Sequence, residues 1–228
     1  MKRRHWIEIG DEPWCPRGIR QGVTDFCRFV EQASGVYNAV APKLVEALQR
    51  TASHRVLDLG SGAGGPWLKL QPLLRKMGQD VTVCLSDHNP DLEAMKRASR
   101  LSGPVITGET PVPQSDAEQA GRLAQQAITF HAEPVDATQV PSELTGFRTM
   151  FSAFHHLRPE QARALLADAV AKREGIGVFD CAVRSPLMLL GMLPMPLRVQ
   201  IATPFIRPFR WSRLFWTYLA PALPFVLL

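Results

Sequence analysis

An α/β fold with a mostly parallel sheet and crossover helices is predicted by three observations on this 228-residue chain. Between residues 55 and 183, short apolar runs alternate with segments of helical apolar spacing, as a sheet wrapped by helices requires. The runs are short and apolar enough to be buried on both faces, which suits parallel strands. The first, at 56–59, runs straight into glycines at 60, 62, 64 and 65, the strand, tight turn and helix of an open sheet.

Taken in order, residues 1–50 read as a mostly helical cap, with a proline-interrupted start and helix-like apolar spacing over 23–30 and 36–48. In that cap Trp14 and Tyr37 either close over a ligand or pack as core aromatics. Residues 51–183 form the core, with strands expected at 55–59, 80–86, 127–131, 148–153 and 176–182. Pro66 suits the first position of the helix after the glycines, and Asn89 or Asp87 suits the cap of a helix over 91–100. The connection 102–126 reads as loop to 115 and helix from 116, and Pro159 opens a helix through 171. No convincing sixth and seventh strands follow the fifth.

Residues 184–228 differ in kind, being apolar, proline-rich and basic. Formal net charge is +5, from 26 basic and 21 acidic residues. Five arginines and no acid lie from Arg184 onward, so residues 1–183 balance at 21 against 21. A nucleic-acid partner would call for a basic face on the folded body, and none is evident. The last uncharged run, 214–228, spans 15 residues and is broken by Pro221 and Pro224. A bilayer-crossing helix needs about 20, so a lid or a membrane-surface element is expected rather than a span. The start, MKRRHWIEIG, lacks the apolar stretch of a secretory signal. Cys15, Cys27, Cys84 and Cys181 make no C-x-x-C pair, so neither a metal site nor a disulfide framework is expected; the cytoplasm is the expected compartment, with peripheral membrane contact through 184–228.

The glycines expect a guest whose atoms approach the backbone. Gly60, Gly62 and Gly65 also satisfy the G-x-G-x-x-G spacing of dinucleotide loops, so alone they leave the guest open. Asp58, two residues before Gly60, disfavours a pyrophosphate and favours an ammonium or sulfonium group. The pattern Asp58-x-Gly60-x-Gly62-x-Gly64 resembles the first motif of the class I S-adenosylmethionine-dependent methyltransferases, and the stretches EIGDEPWCPRGIRQGVTDFCRF, HHLRPEQAR and FRWSRLFWTYLAPALP resemble a bacterial subgroup of them without naming its acceptor. That resemblance implies a Rossmann-like three-layer sandwich in which Asp58, Gly60, Ser61, Gly62 and Gly64 cradle the cofactor.

Asp87, at the end of the second strand and 27 positions after Gly60, can accept two ribose hydroxyls or cap the next helix. His88 either lies against the adenine or faces solvent. Asp136 and Ala137 match the family's adenine-binding position, while an aspartate there also suits an ordinary turn. The stretch 151–157 resembles the family's fourth-strand junction, whose side chains face the transferring methyl. His155 and His156 are therefore the candidate proton acceptors, histidine being suited to that work near neutral pH, although some members use no protein base. Asp180, near the end of the fifth strand, suits either a place facing the site or a paired structural acid, the second being favoured.

The implied activity is transfer of a methyl group from S-adenosylmethionine to a small-molecule acceptor by in-line displacement; the apolar, aromatic and arginine-rich cap and tail fit a lipophilic acceptor, a membrane surface that supplies one, or a buried insert that completes the core. Two alternatives are a non-catalytic S-adenosylmethionine-binding protein and a nicotinamide-dependent oxidoreductase. The family sheet ends in an antiparallel hairpin that this sequence lacks, so either the reading frame is cut short or the tail covers the edge of strand five.

Overall fold

A computed structural model describes residues 14–62, 64–102, 128–180, 190–191 and 193–226. They fall into two compact units, residues 35–180 and the described parts of 1–34 and 181–228. The strands are β1 (Arg55–Leu59), β2 (Thr82–Ser86), β3 (Ile128–Phe130), β4 (Phe147–Phe151) and β5 (Ile176–Phe179). The helices are α1 (Arg17–Ser34), α2 (Ala41–Arg50), α3 (Trp67–Lys76), α4 (Leu92–Ser102), α5 (Pro159–Ala171), α6 (Met195–Ala202), α7 (Trp211–Leu214) and α8 (Ala222–Val226).

The first unit is an α/β sandwich around one five-stranded sheet in the order β3-β2-β1-β4-β5, with every neighbouring pair parallel. Successive side chains of a strand point to opposite faces, and the core divides accordingly. Val56, Val83, Leu85, Phe147 and Phe151 pack on one face against Leu44 and Leu48 of α2, Trp67, Leu70 and Leu74 of α3, and Met95 of α4. Leu57, Leu59 and Met150 meet Leu165 of α5 on the other face, together with Val135 and Val140. Arg148 is wholly buried in β4 and is neutralised by Glu174 and Asp168, each at 2.7 Å. The chain runs outward from β1 to β2 and β3, then returns to β4 on the other side of β1. Open α/β sheets bind ligands at such a reversal, beyond the carboxyl ends of the strands.

Several boundaries differ from expectation, for local reasons. The helix after β2 is capped by neither Asn89 nor Asp87: the Ala94 amide donates to Asp91 Oδ1 at 3.2 Å, so Asp91 is the cap. Strand β2 starts at Thr82 because Asp80 stays at the surface, paired with Arg75 at 3.1 Å. Strand β4 stops at Phe151, since Ser152 takes a left-handed φ of 46° and a 3-10 turn follows over Phe154–His156. Pro159 does open α5. Tyr37 is core, whereas Trp14 is 67% exposed. Residues 103–126 of the long connection, the first residue of strand 127–131 and the last two of strand 176–182 lie outside the described residues. Among the described residues no strand follows β5.

The second unit packs α1 against α7 and α8, and α8 in turn against α6. Ile19, Phe26, Val199, Ile206 and Leu223 form its apolar centre. Gly22 of α1 makes that packing close, because a Cβ there would lie 2.9 Å from the Leu223 side chain. Beside it, buried Asp25 accepts hydrogen bonds from Arg213 at 2.7 Å, Arg210 at 3.0 Å and Arg28 at 3.3 Å. Among the described residues no helix is long and apolar enough to cross a membrane.

Candidate functional site

The carboxyl end of β1 builds the first wall of the site. Gly60, Gly62, Gly64 and Gly65 all take positive φ, so the turn after β1 is wound in a conformation that side chains resist. Gly64 answers to packing as well: at φ 99°, a Cβ would stand 2.8 Å from that of Ala98 on α4. Ser61 is built into the turn. Its hydroxyl donates to the Asp58 carbonyl at 2.9 Å and accepts from the Ser86 amide at 3.2 Å, which ties the loop to the end of β2.

Asp58 lies beneath this loop, 1% exposed, and accepts the Thr149 hydroxyl from the neighbouring strand at 2.7 Å. Burial is the largest influence on its carboxyl and pushes it up to about 6; Thr149, Ser61 and Trp67 act against the rise, and Asp87 adds to it. Compared with the unfolded chain, the folded state therefore holds the proton on Asp58 to higher pH, and the carboxyl is ionised in the main near neutral pH. This stabilising contribution is full below the ordinary value of 3.8 and is lost as pH climbs through about 6. Asp58→Asn keeps an acceptor for Thr149, and is expected to stabilise the chain by about 1 to 3 kcal/mol near pH 8 and by nothing measurable near pH 4. Urea unfolding at the two pH values checks this; an equal effect at both would rule out a buried-charge cost.

Asp87 directly follows β2, half-buried, with each carboxylate oxygen holding a backbone donor. The Gly62 amide donates to Oδ2 at 2.7 Å and the Asn89 amide to Oδ1 at 2.8 Å. Each oxygen retains a second lone pair for a ligand hydroxyl. The loop after β3 folds back onto this edge through the Val135 amide, which donates to the Asp87 carbonyl at 2.9 Å. That brings Asp136 alongside. Asp136 is exposed, and its Oδ1 accepts the Thr138 hydroxyl and amide at 2.7 and 2.8 Å. Those two bonds hold the carboxyl below the usual range, with a smaller pull from His88, so an anionic acceptor stands at the sheet edge. His88 is exposed, while Ala137 is half-buried and packs into the cluster of Leu57 and Leu59.

The second wall is the turn after β4. His155 Nδ1 lies 2.9 Å from Asp180, and the rings of His155 and His156 stack with centroids 4.3 Å apart. With a carboxylate on Nδ1, that nitrogen carries the proton and Nε2 is the basic one. Tyr37 hydrogen-bonds Ser152 at the start of the same turn, and its ring meets Phe151 edge-on at 4.9 Å. The structure thus brings Asp58, Ser61, Gly62 and Asp87 together around one loop, Asp136 and Ala137 onto the adjacent edge, and His155 and His156 onto the turn after β4. It also adds Thr149 and Ser152, which motif spacing does not reveal, and gives Asp180 its partner. Their only sequence signal is position at or near the end of a strand, and it becomes useful once β4 is known to lie between β1 and β5. Among the described residues no group of His, Cys, Asp and Glu could hold a metal ion.

No family model matches the chain, and no curated protein does. Among solved structures it is similar to the methyltransferase domain of bacterial CtHen1-CN, at 17% identity and a TM-score of 0.40, over 62% of this chain and 64% of that one. It is also similar to an uncharacterised protein from Burkholderia thailandensis, at 14% identity and a TM-score of 0.31, over 61% of this chain and 41% of that one. The chain therefore spans less than two thirds of either.

Proposed function

We propose that the chain is an S-adenosylmethionine-dependent methyltransferase acting on a small-molecule acceptor. The observation that carries this is the hydrogen bond from the Gly62 amide to Asp87 Oδ2. Gly62 is the second glycine of the G-x-G-x-x-G spacing, where a dinucleotide fold brings its backbone close to the pyrophosphate. Here that donor already holds a carboxylate, with Asp58 buried below, so the loop favours a cationic guest over an anionic one.

The residues suit S-adenosylmethionine. Asp87 and Asp136 offer carboxylate acceptors for ribose hydroxyls and an adenine amino group, and the glycine loop lies beside the pair of acids that favours the methionine side. When bound, the cofactor supplies an electrophilic methyl on a sulfonium, and what leaves is neutral at sulfur. His155 then serves as the proton acceptor for an acceptor hydroxyl or amine, working through Nε2 because Asp180 holds Nδ1. The protein's main task is positioning the acceptor atom and excluding water.

Calorimetric titration with S-adenosylhomocysteine and, separately, NAD tests the proposal. Binding of the first and not the second is the expected result, and the reverse would sink it. Within that experiment Asp87→Ala is expected to weaken S-adenosylhomocysteine by about 1.5 to 3 kcal/mol, the scale for hydrogen bonds to a charged group. Asp87→Asn, which keeps one acceptor for Gly62, should lose less; unchanged affinity in both variants would remove Asp87 from the site.

A further inference from the structure

The second unit presents apolar side chains to solvent on a scale the sheet unit does not. Of eighteen exposed large hydrophobic residues among the described ones, thirteen belong to this smaller unit. Leu197 and Ile201 stand at the four-residue spacing that stacks side chains on one face of α6, at 57% and 61% exposure, and Leu193 in the turn before it is 67% exposed. Trp211 and Leu219 are each 78% exposed. Exposed apolar and aromatic side chains in this number on one small unit point to an interaction surface.

Charge identifies the partner. The described residues of this unit hold seven arginines and two acids. One of those acids, Asp25, is buried and spent on Arg28, Arg210 and Arg213. Arg198 and Arg207 stand exposed on the same stretch as Leu197, Ile201 and Trp211. Basic groups mixed with exposed leucine and tryptophan on short, proline-broken helices match a surface that sinks into lipid headgroups without crossing.

We propose that the unit formed by 14–34 and 190–226 is a docking surface for an anionic lipid bilayer. Leu197, Ile201 and Trp211 enter the headgroup boundary, and Arg198 and Arg207 meet the lipid phosphates. The inference is independent of the proposed reaction, since binding to vesicles is read without cofactor or acceptor.

Flotation of the full chain with phosphatidylglycerol–phosphatidylcholine vesicles and with phosphatidylcholine vesicles tests it. Partition at least about tenfold stronger into the anionic vesicles is expected, from roughly additive contributions of each arginine near the surface. Leu197→Ser with Trp211→Ser should weaken that partition by about tenfold or more. Arg198→Glu with Arg207→Glu, at exposed positions where Arg198 gives up one surface hydrogen bond to the Gly191 carbonyl, should abolish the preference for anionic lipid. Equal partition into both vesicles, or binding indifferent to the charge reversals, would overturn the proposal. So would sedimentation in lipid-free buffer showing a dimer that the same substitutions split, because the face would then belong to a second copy of the chain.

Discussion

Asp25→Ala is expected to cost about 3 to 5 kcal/mol of the stability of the unit formed by 14–34 and 190–226, the scale for removing one partner from a buried ion pair. Asp25 is 4% exposed and Arg213 only 1%. Burial pulls the Arg213 guanidinium below its ordinary range and Asp25 opposes that pull, so without the carboxylate three cations would crowd one buried space. The carbonyls of Ile206 and Pro208, each within 2.8 Å of Arg213 Nη2, cannot replace its charge. Urea unfolding together with limited proteolysis of this unit measures the loss. Adding Arg213→Met is expected to recover more than about half of it, because the orphaned charge goes too. A loss under about 1 kcal/mol, or no recovery in the double variant, would mean that the ion cluster does not hold this unit together.

Under the proposed methyl transfer, His155→Ala is expected to lower kcat by about 10² to 10⁴, the contribution of a positioned proton acceptor. Affinity for S-adenosylhomocysteine should stay within about twofold, since the cofactor acceptors lie on the glycine loop and the ends of β2 and β3. Asp180→Asn should give a smaller fall in kcat, about tenfold, again with cofactor affinity unchanged: the asparagine fills the same space and no longer fixes Nδ1 as the protonated nitrogen. A purely structural role for Asp180 would show instead as lost stability with kcat per folded molecule intact. A fall of less than about threefold in His155→Ala would leave positioning alone to account for turnover.

Most of the sheet was legible in the sequence because each strand is a local apolar run with a local stop. β1 starts and ends where the pattern places it, and the predicted strands at 80–86, 127–131, 148–153 and 176–182 each contain or overlap the observed one. The errors fall where a distant contact decides the backbone. Ser152 leaves the strand at φ 46° while hydrogen-bonded to Tyr37, 115 residues earlier. Asp180 is legible as a paired acid at a strand end, but its partner His155 is fixed only when β5 lies beside β4. For the site, the glycines and the acids at 58, 87 and 136 are visible as residue types at strand ends; which oxygen faces which donor is not.

The sequence by itself determined the parallel sheet, the glycine turn and the list of acids around it, since apolar periodicity and turn chemistry act over a few residues. Only the tertiary structure decided how those acids are used. Asp58 is buried and raised, Asp87 is bound to the Gly62 amide, and two of the tail arginines are folded onto Asp25, 185 and 188 residues away. A carboxylate's charge state and partner depend on the burial and the donors around it, and those come from segments that meet only when the chain is folded.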